Sequence, residues 1–242
     1  MLRRHEYGES DLIVALLTGD RGLQRGFARG GRKSVKRFGA ALEPFSVIDI
    51  QWQPGRGELL TLLDAELRNP HQGLRLSLDR LALAGYAVEI LEMLLHEGEP
   101  QPQLYSLLQG YLGSLSDGGE PRTARLLFEL RLVQELGYIP HLLHCSECFA
   151  RFDEGTVAFD PARGGSLCDR CGEGTALRVH LRTIGSLSRS LRSPIGQFAD
   201  FRFGERTLKE GAQVLATVLQ AVLPRTPKSL RFLSVSPASD EP

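Results

Sequence analysis

Apolar residues change their spacing along this chain, and each change marks a different kind of structure. Up to about residue 68 they come in short runs broken by turn residues. Leu12-Ile13-Val14-Ala15-Leu16-Leu17-Thr18 is rich in strand formers and stops at Gly19-Asp20. Residues 21–29 form a second candidate strand, and residues 45–52, Phe-Ser-Val-Ile-Asp-Ile-Gln-Trp, form a third. Pro54-Gly55-Arg56-Gly57 reads as a hairpin connection to a fourth, Glu58 to Leu63. Several short strands with tight turns in about 70 residues predict a small closed or partly closed barrel.

From about residue 74 the period becomes helical. Leu81, Ala84, Val88, Leu91 and Leu95 fall on one face, with Glu89 and Glu92 opposite, and Gly98-Glu99-Pro100 ends the run. A shorter helix is expected over 103–115. Pro121 is placed to start a third, which carries Leu126, Leu127, Leu130, Val133 and Leu136 on one side and stops before Gly137 and Pro140. Residues 141–175 have few large apolar side chains and need a staple to hold a shape. Helix returns in the last third. Thr207-Leu208-Lys209-Glu210 matches a capping box, followed by Leu208, Ala212, Leu215, Leu219 and Val222 at helical spacing. The tail 236–242 is expected to be disordered.

The four cysteines fill that middle segment with chemistry. They stand as Cys145-Ser-Glu-Cys148 and Cys168-Asp-Arg-Cys171. Two such knuckles supply four sulfurs for one tetrahedral Zn2+. Four thiolates close the shell, so the expected role is structural. His141 and His144 could each replace a cysteine, but four sulfurs already complete the site, so both are read as loop residues. Redox pairs would instead stand alone at a helix start after a strand.

Composition adds one constraint. Lys plus Arg and Asp plus Glu are both 29, so the formal net charge is zero and bulk charge cannot hold a polyanion. Any such site must come from local clustering. Residues 21–37 provide it: Arg21, Arg25, Arg29, Arg32, Lys33, Lys36 and Arg37, with no acidic residue between them. On a strand over 21–29, Arg21, Arg25 and Arg29 share a face with Leu23 and Phe27, unless a bulge at Gly26 switches it. Basic side chains interleaved with an aromatic suit single-stranded nucleic acid: the arginines meet phosphates and Phe27 stacks on bases. The plainer reading is a solvated loop with Phe27 in the barrel core. The glycines of 26–34 imitate a phosphate-binding loop, but Arg32-Lys33 stands where Lys-Ser/Thr is required.

Together these segments carry a family resemblance. Tyr7-Gly8-Glu9-Ser10-Asp11, Leu17-Thr18, Arg21-Gly22, Ala28-Arg29-Gly30-Gly31-Arg32-Lys33-Ser34 and Leu42-Glu43-Pro44-Phe45 occur in order. Phe128-Glu129-Leu130-Arg131-Leu132 and Leu136-Gly137-Tyr138-Ile139-Pro140 then run into Cys145 and Cys148. The order resembles the bacterial recombination mediators of the RecO family over roughly residues 3–235. The resemblance implies an α+β protein: a small N-terminal β-barrel (OB-fold), then an α-helical domain with an inserted four-cysteine zinc module. The expected divisions are 1–70 for the barrel, 71–140 and 176–235 for the helices, and 141–175 for the zinc insert. It further implies binding of single- and double-stranded DNA, strand annealing, and partnership with RecR. Contact with the C-terminal tail of single-stranded-DNA-binding protein, and help in loading RecA onto DNA which that protein coats, follow from the same source. Basic barrel residues carry the family's DNA contacts, matching Arg25, Arg29, Arg32, Lys33, Lys36 and Arg37. Members usually have several more residues before the stretch matching Leu2-Arg3-Arg4, so a native chain with extra N-terminal residues is expected from intact mass.

No catalytic constellation is present: no His-Glu-x-x-His, Gly-x-Ser-x-Gly or Gly-x-Gly-x-x-Gly. Glu89, Glu92 and Glu97 read as solvated carboxylates, and His5, His71, His96 and His180 as surface or loop residues. Trp52 reads as barrel core or rim rather than a base-stacking residue, and Arg182, Arg189 and Arg192 as a solvated helix face. With no run of 18 apolar residues and no signal-peptide core at the N-terminus, a cytoplasmic, non-enzymatic protein is expected. The competing reading is a zinc-stabilised RNA-binding or protein-interaction module without a recombination role. A further one is an enzyme using the cysteines, whose thiols would titrate freely without a chelator.

Overall fold

A computed structural model describes residues 1–55 and 59–233; the hairpin at Arg56-Gly57 and the tail at 236–242 lie outside the described residues. Five strands come first: β1 (Arg3–Tyr7), β2 (Asp11–Thr18), β3 (Gly22–Ala28), β4 (Val47–Pro54) and β5 (Leu60–Asn69). They pair in the order β1-β2-β3-β5-β4, antiparallel except for β3 against β5. This is an OB-like, partly open barrel. Leu12, Val14 and Leu16 alternate inward on β2 and pack with Ala28, Leu62 and Ala65. The β2–β3 register runs unbroken through Gly26, so no bulge forms there. Gly26 serves packing instead: a Cβ at that position would lie 2.1 Å from the Leu62 side chain. The two sheet edges, β1 and β4, meet at Met1. The Phe45 N–H donates to the Met1 carbonyl at 2.9 Å, and the Met1 amine donates to the Ser46 carbonyl at 2.8 Å.

The chain between β3 and β4 is turns, not strand, and it lids the barrel with buried Phe38, Ala41 and Leu42. His71, expected to be a surface or loop residue, stands in a loop but is buried where the barrel joins the helices. Its Nδ1 pairs with the Phe45 carbonyl at 2.8 Å.

The helices are α1 (Leu78–Leu94), α2 (Pro102–Ser116), α3 (Pro121–Glu135), α4 (Leu181–Ser190), α5 (Glu205–Val222) and the short α6 (Leu230–Leu233). The apolar stripe expected on one side of α3 is in fact two stripes. Ala124, Leu127, Phe128 and Leu132 join α1 and α2 in one core, which also takes Leu17 and Leu23 from the barrel. Leu126, Leu130 and Val133 join α4 and α5 in a second. A helix apolar on both sides is a buried helix, and α3 is the wall shared by the two cores. Its start is fixed by Pro121 and by the Glu120 carboxylate, which accepts from the Arg122 and Thr123 N–H groups.

Three short strands follow α3: β6 (Thr156–Asp160), β7 (Gly165–Leu167) and β8 (Arg178–His180), in the antiparallel order β7-β6-β8. Val157, Phe159 and Val179 from this sheet, with Leu142, belong to the second core.

Two sequence expectations fail for tertiary reasons. The capping box is not one: α5 begins at Glu205 after Gly204, so Thr207 lies inside the helix. Glu210 accepts instead from the His180 N–H at 3.0 Å and the Thr183 hydroxyl at 2.6 Å, tying α5 to α4. Glu89 is not solvated: it is 6% exposed and receives the Lys228 and Ser229 N–H groups and Arg225. Glu92 and Glu97 pair with Arg3 and Arg25, fastening the barrel to the helical part.

Candidate nucleic-acid interface and metal centre

On β3, alternation sends Leu23, Arg25 and Phe27 outward. Leu23 is covered by the helices, which leaves Arg25 and Phe27 on the open surface. The Phe27 ring meets Tyr7 of β1 edge-on, with centroids 5.9 Å apart. Tyr7 is 58% exposed, so two rings from neighbouring parts of one face make a small aromatic platform. Tyr7 had a sequence signal, since it opens the Tyr7-Gly8-Glu9-Ser10-Asp11 segment. Nothing in its spacing linked it to Phe27.

The basic loop follows β3 directly, and its shape has identifiable causes. The Gly30 N–H donates to the Asp11 carboxylate at 2.7 Å, and the Arg32 N–H to the Ser10 carbonyl at 2.9 Å. The loop is thereby held against the β1–β2 turn. Arg37 works from inside, donating to the Ser34 hydroxyl at 3.1 Å and the Arg29 carbonyl at 2.6 Å while resting on the Phe38 ring. The Ala65 N–H donates to the Arg37 carbonyl at 2.9 Å and pins the loop to β5. A Gly30 φ of 67° permits the turn.

The seven basic residues do not act as one set. Arg29, Lys33 and Lys36 are exposed and have no ion-pair partner among the described residues. Arg32 pairs with Glu6 at 3.1 Å and Arg25 with Glu97 at 2.7 Å; both remain exposed. Exposed pairs of this kind are worth under about 1 kcal/mol and open readily to a phosphate. Arg21 is set apart. It lies in the β2–β3 turn, separated from Arg29 by the length of β3, roughly 23 Å for seven extended residues. Its guanidinium sits over the Trp52 ring, 4.6 Å from the centroid. Trp52 is half-buried at the rim of a cleft of about 410 Å3 between the barrel edges and α2. Arg182 and Arg189 are exposed on α4 and Arg192 just beyond it, on the helical part rather than the barrel.

The second centre is the cysteine quartet. The four sulfurs lie within 4.8 Å of one another, and Cys148 and Cys168 are 3.7 Å apart. A tetrahedron with metal–sulfur distances of about 2.3 Å has sulfur–sulfur edges of roughly 3.8 Å, so the donor set fits one tetrahedral ion. Each knuckle is a backbone turn. The Phe149 N–H donates to the Cys145 carbonyl at 3.0 Å, and the Gly172 N–H to the Cys168 carbonyl at 2.7 Å. Gly172 is required by space, since a Cβ there would stand 2.4 Å from the Ala158 Cβ. Burial resists ionisation of the Cys145 thiol, but the N–H groups of Cys148, Cys168 and Glu147 outweigh it and lower the thiol to about 6. Hydrogen bonding to Cys168, then burial and the Cys148 and Cys145 sulfurs, push Cys171 up to about 12. Thiols this close cannot all ionise unless a cation sits among them, and a divalent ion meets that need. His141 and His144 are not part of the cluster.

Sequence spacing did not reveal Arg131. It is 1% exposed in the middle of α3, donates to the Ile195 and Gln197 carbonyls, and lies on the Phe198 and Phe201 rings. It binds the 195–201 segment to α3, and burial lowers its pKa. Nor was Glu129 legible. It is buried, taking the Tyr86 hydroxyl at 2.6 Å and Arg125 at 2.7 Å. An i, i+4 Arg–Glu pair on a helix ordinarily reads as surface.

The sequence matches two family models, Recombination protein O N terminal over residues 1–71 and Recombination protein O C terminal over residues 75–231. Among similar curated proteins, a DNA repair protein RecO of Syntrophotalea carbinolica is 47% identical over 236 residues, covering 97% of this chain and 92% of the relative. One of Anaeromyxobacter dehalogenans is 37% identical, covering 96% and 93%. One of Geobacter metallireducens is 35% identical, covering 96% and 94%.

Proposed function

This chain belongs to the RecO family of DNA repair proteins, and on that premise we propose that it is a recombination mediator that grips DNA on its barrel. It binds single- and double-stranded DNA, anneals complementary strands and, with RecR, helps load RecA onto DNA coated by single-stranded-DNA-binding protein. The observation that carries this reading is the loop of unpaired Arg29, Lys33 and Lys36 beside the Phe27–Tyr7 platform. Cations neutralise phosphates while the rings take bases, and a shallow surface leaves the pairing edges of the bases free. Annealing then needs charge neutralisation and no bond chemistry. Arg25 and Arg32 join the interface by exchanging their carboxylate partners for phosphates. Arg37 acts by holding the loop, and Arg21 marks a separate end of the barrel.

The four cysteines hold one structural Zn2+. The acidic, apolar tail of the single-strand-binding partner suits the groove between α3 and α5, where Leu126 and Leu208 lie beside Arg206 and Lys209, and where Arg122 and Arg125 are already paired with Glu205 and Glu129. No helix among the described residues is long and apolar enough to cross a membrane, which accords with work on the nucleoid in the bacterial cytoplasm.

The test is annealing of complementary oligonucleotides coated with single-strand-binding protein, together with the salt dependence of single-strand affinity. If Arg25, Arg29, Arg32, Lys33 and Lys36 all meet phosphates, log K against log salt should slope by about −3.5. Charge reversal at Arg29 and Lys33 should flatten it by about 1.4 and slow annealing. An unchanged slope would move the DNA site off the barrel. Binding of structured RNA with no annealing would favour a general RNA-binding module instead.

A further inference from the structure

The zinc knuckle carries a ring cluster that neither the metal nor the core uses. Phe149 directly follows Cys148, and the turn that wraps the metal gives it a φ of 60°. That left-handed conformation favours glycine, and a bulky residue held there is strained. In the second knuckle the residue after Cys171 is Gly172, which is not left-handed and is glycine for lack of space beside Ala158. Phe149 is nonetheless 66% exposed. The aromatic side chain packed against the sulfur cluster is Phe152, three residues on, and Phe149 is not among its neighbours. Strain accepted for a ring that packs on no core points outward, to something the ring touches.

Its surroundings indicate what. The His144 ring lies nearly parallel to Phe149, at 5.8 Å and 27°, and His141 stands edge-on to both, at 4.8 Å from His144 and 6.4 Å from Phe149. Arg151 bridges to His144 through the backbone, is exposed, and has no carboxylate partner among the described residues. Arg170 of the other knuckle points at Cys148 and Cys171. Glu147 and Asp169, inside the two Cys-x-x-Cys turns, are bound by Arg163 and Arg178, while Asp153, Glu154 and Glu173 just beyond the turns are exposed and make no ion pair among the described residues. An open stack of planar rings flanked by one arginine without a carboxylate partner, Arg151, is chemistry for an aromatic, anionic ligand.

We propose that Phe149, backed by His144 and flanked by Arg151, is a second stacking site for an unpaired base of single-stranded nucleic acid, separate from the barrel. Paired bases present no free face, so the site selects single strands over duplex. The zinc ion fixes the turn and hence the direction of the ring. The proposal rests on the nucleic-acid reading above, and its test separates the two.

Oligothymidylate carrying 5-iododeoxyuridine is photo-cross-linked to the zinc-loaded protein, and the cross-linked peptides are mapped. Adducts are expected on the segment holding His144 and Phe149 as well as on the barrel. In parallel, Phe149→Gly is compared with the parent for zinc content, melting temperature and oligothymidylate affinity. Glycine relieves the strained φ, so the variant should keep its zinc and melt no lower, yet bind about tenfold more weakly. A role confined to folding would give the opposite, lower melting with unchanged affinity. Cross-links confined to the barrel, with Phe149→Gly binding like the parent, overturn this inference and leave the barrel reading intact. No cross-link anywhere and no binding by the parent overturn both. Adducts on the parent's knuckle support the site even if the variant misfolds.

Discussion

Glu89 shows how one carboxylate can organise a chain end. It sits on α1 yet receives two backbone N–H groups, from Lys228 and Ser229, each at 2.9 Å, plus Arg225 at 2.9 Å. Burial opposes its charge, but those donors outweigh burial and bring its pKa from 4.5 down to about 2. A carboxylate depressed in the folded state adds stability above its unfolded pKa and loses it as pH falls toward the folded one. Melting of the parent should therefore drop between about pH 4.5 and pH 2. Glu89→Gln should melt lower than the parent near neutrality, by a margin that shrinks on acidification. Thermal melts at pH 6 and pH 3 check this; an equal margin at both would remove Glu89 from the acid response. The sequence could not reveal this role, because the partners stand about 140 residues away in chain order. Helical spacing alone puts Glu89 opposite Leu91 and Leu95.

At the scale of elements, propensity and context part company at α5. Thr207-Leu208-Lys209-Glu210 has the letters of a capping box, but two helical residues, Glu205 and Arg206, precede it once Glu205 starts the helix. Thr207→Ala should then change stability by no more than about 0.5 kcal/mol. Glu210→Ala should cost about 1–3 kcal/mol, because it leaves the His180 N–H and the Thr183 hydroxyl without their acceptor. Denaturant midpoints of the two variants decide it, since a working capping box would make both costly. The strand elements were more legible. Runs of β-formers bounded by Gly-Asp locate β2 and β3 within a residue or two, because local turn chemistry sets their ends. β5 runs on to Asn69, beyond the Leu63 expected from the pattern, because its later residues pair with β4 across the barrel and Ala65 with the basic loop.

Across the whole molecule, the metal centre and the second core are one unit. Strand β6 lies between the two: Ala158 packs against the cysteines, while Val157 and Phe159 on its other face, with Val179, pack with α4 and α5. Removing the metal should therefore loosen α4 and the N-terminal half of α5 along with the knuckles, while the barrel core around Phe38, Leu42 and Leu62 stays closed. Hydrogen exchange with and without chelator distinguishes this from a zinc insert that melts alone. By itself the sequence determined those features whose causes are local: strands ended by turn residues, helices begun by proline, two Cys-x-x-Cys turns able to share one ion, and a positive run on a neutral chain. Only the tertiary structure decided which positive charges are free, because Glu6 and Glu97 come from other elements to claim Arg32 and Arg25. It also decided that α3 has two cores, that Glu89, Glu129 and Arg131 are buried, and that Arg21 stands apart from the loop. The physical reason is that alternation and helical period record which way a side chain points, whereas burial and charge pairing depend on what the rest of the chain brings to meet it.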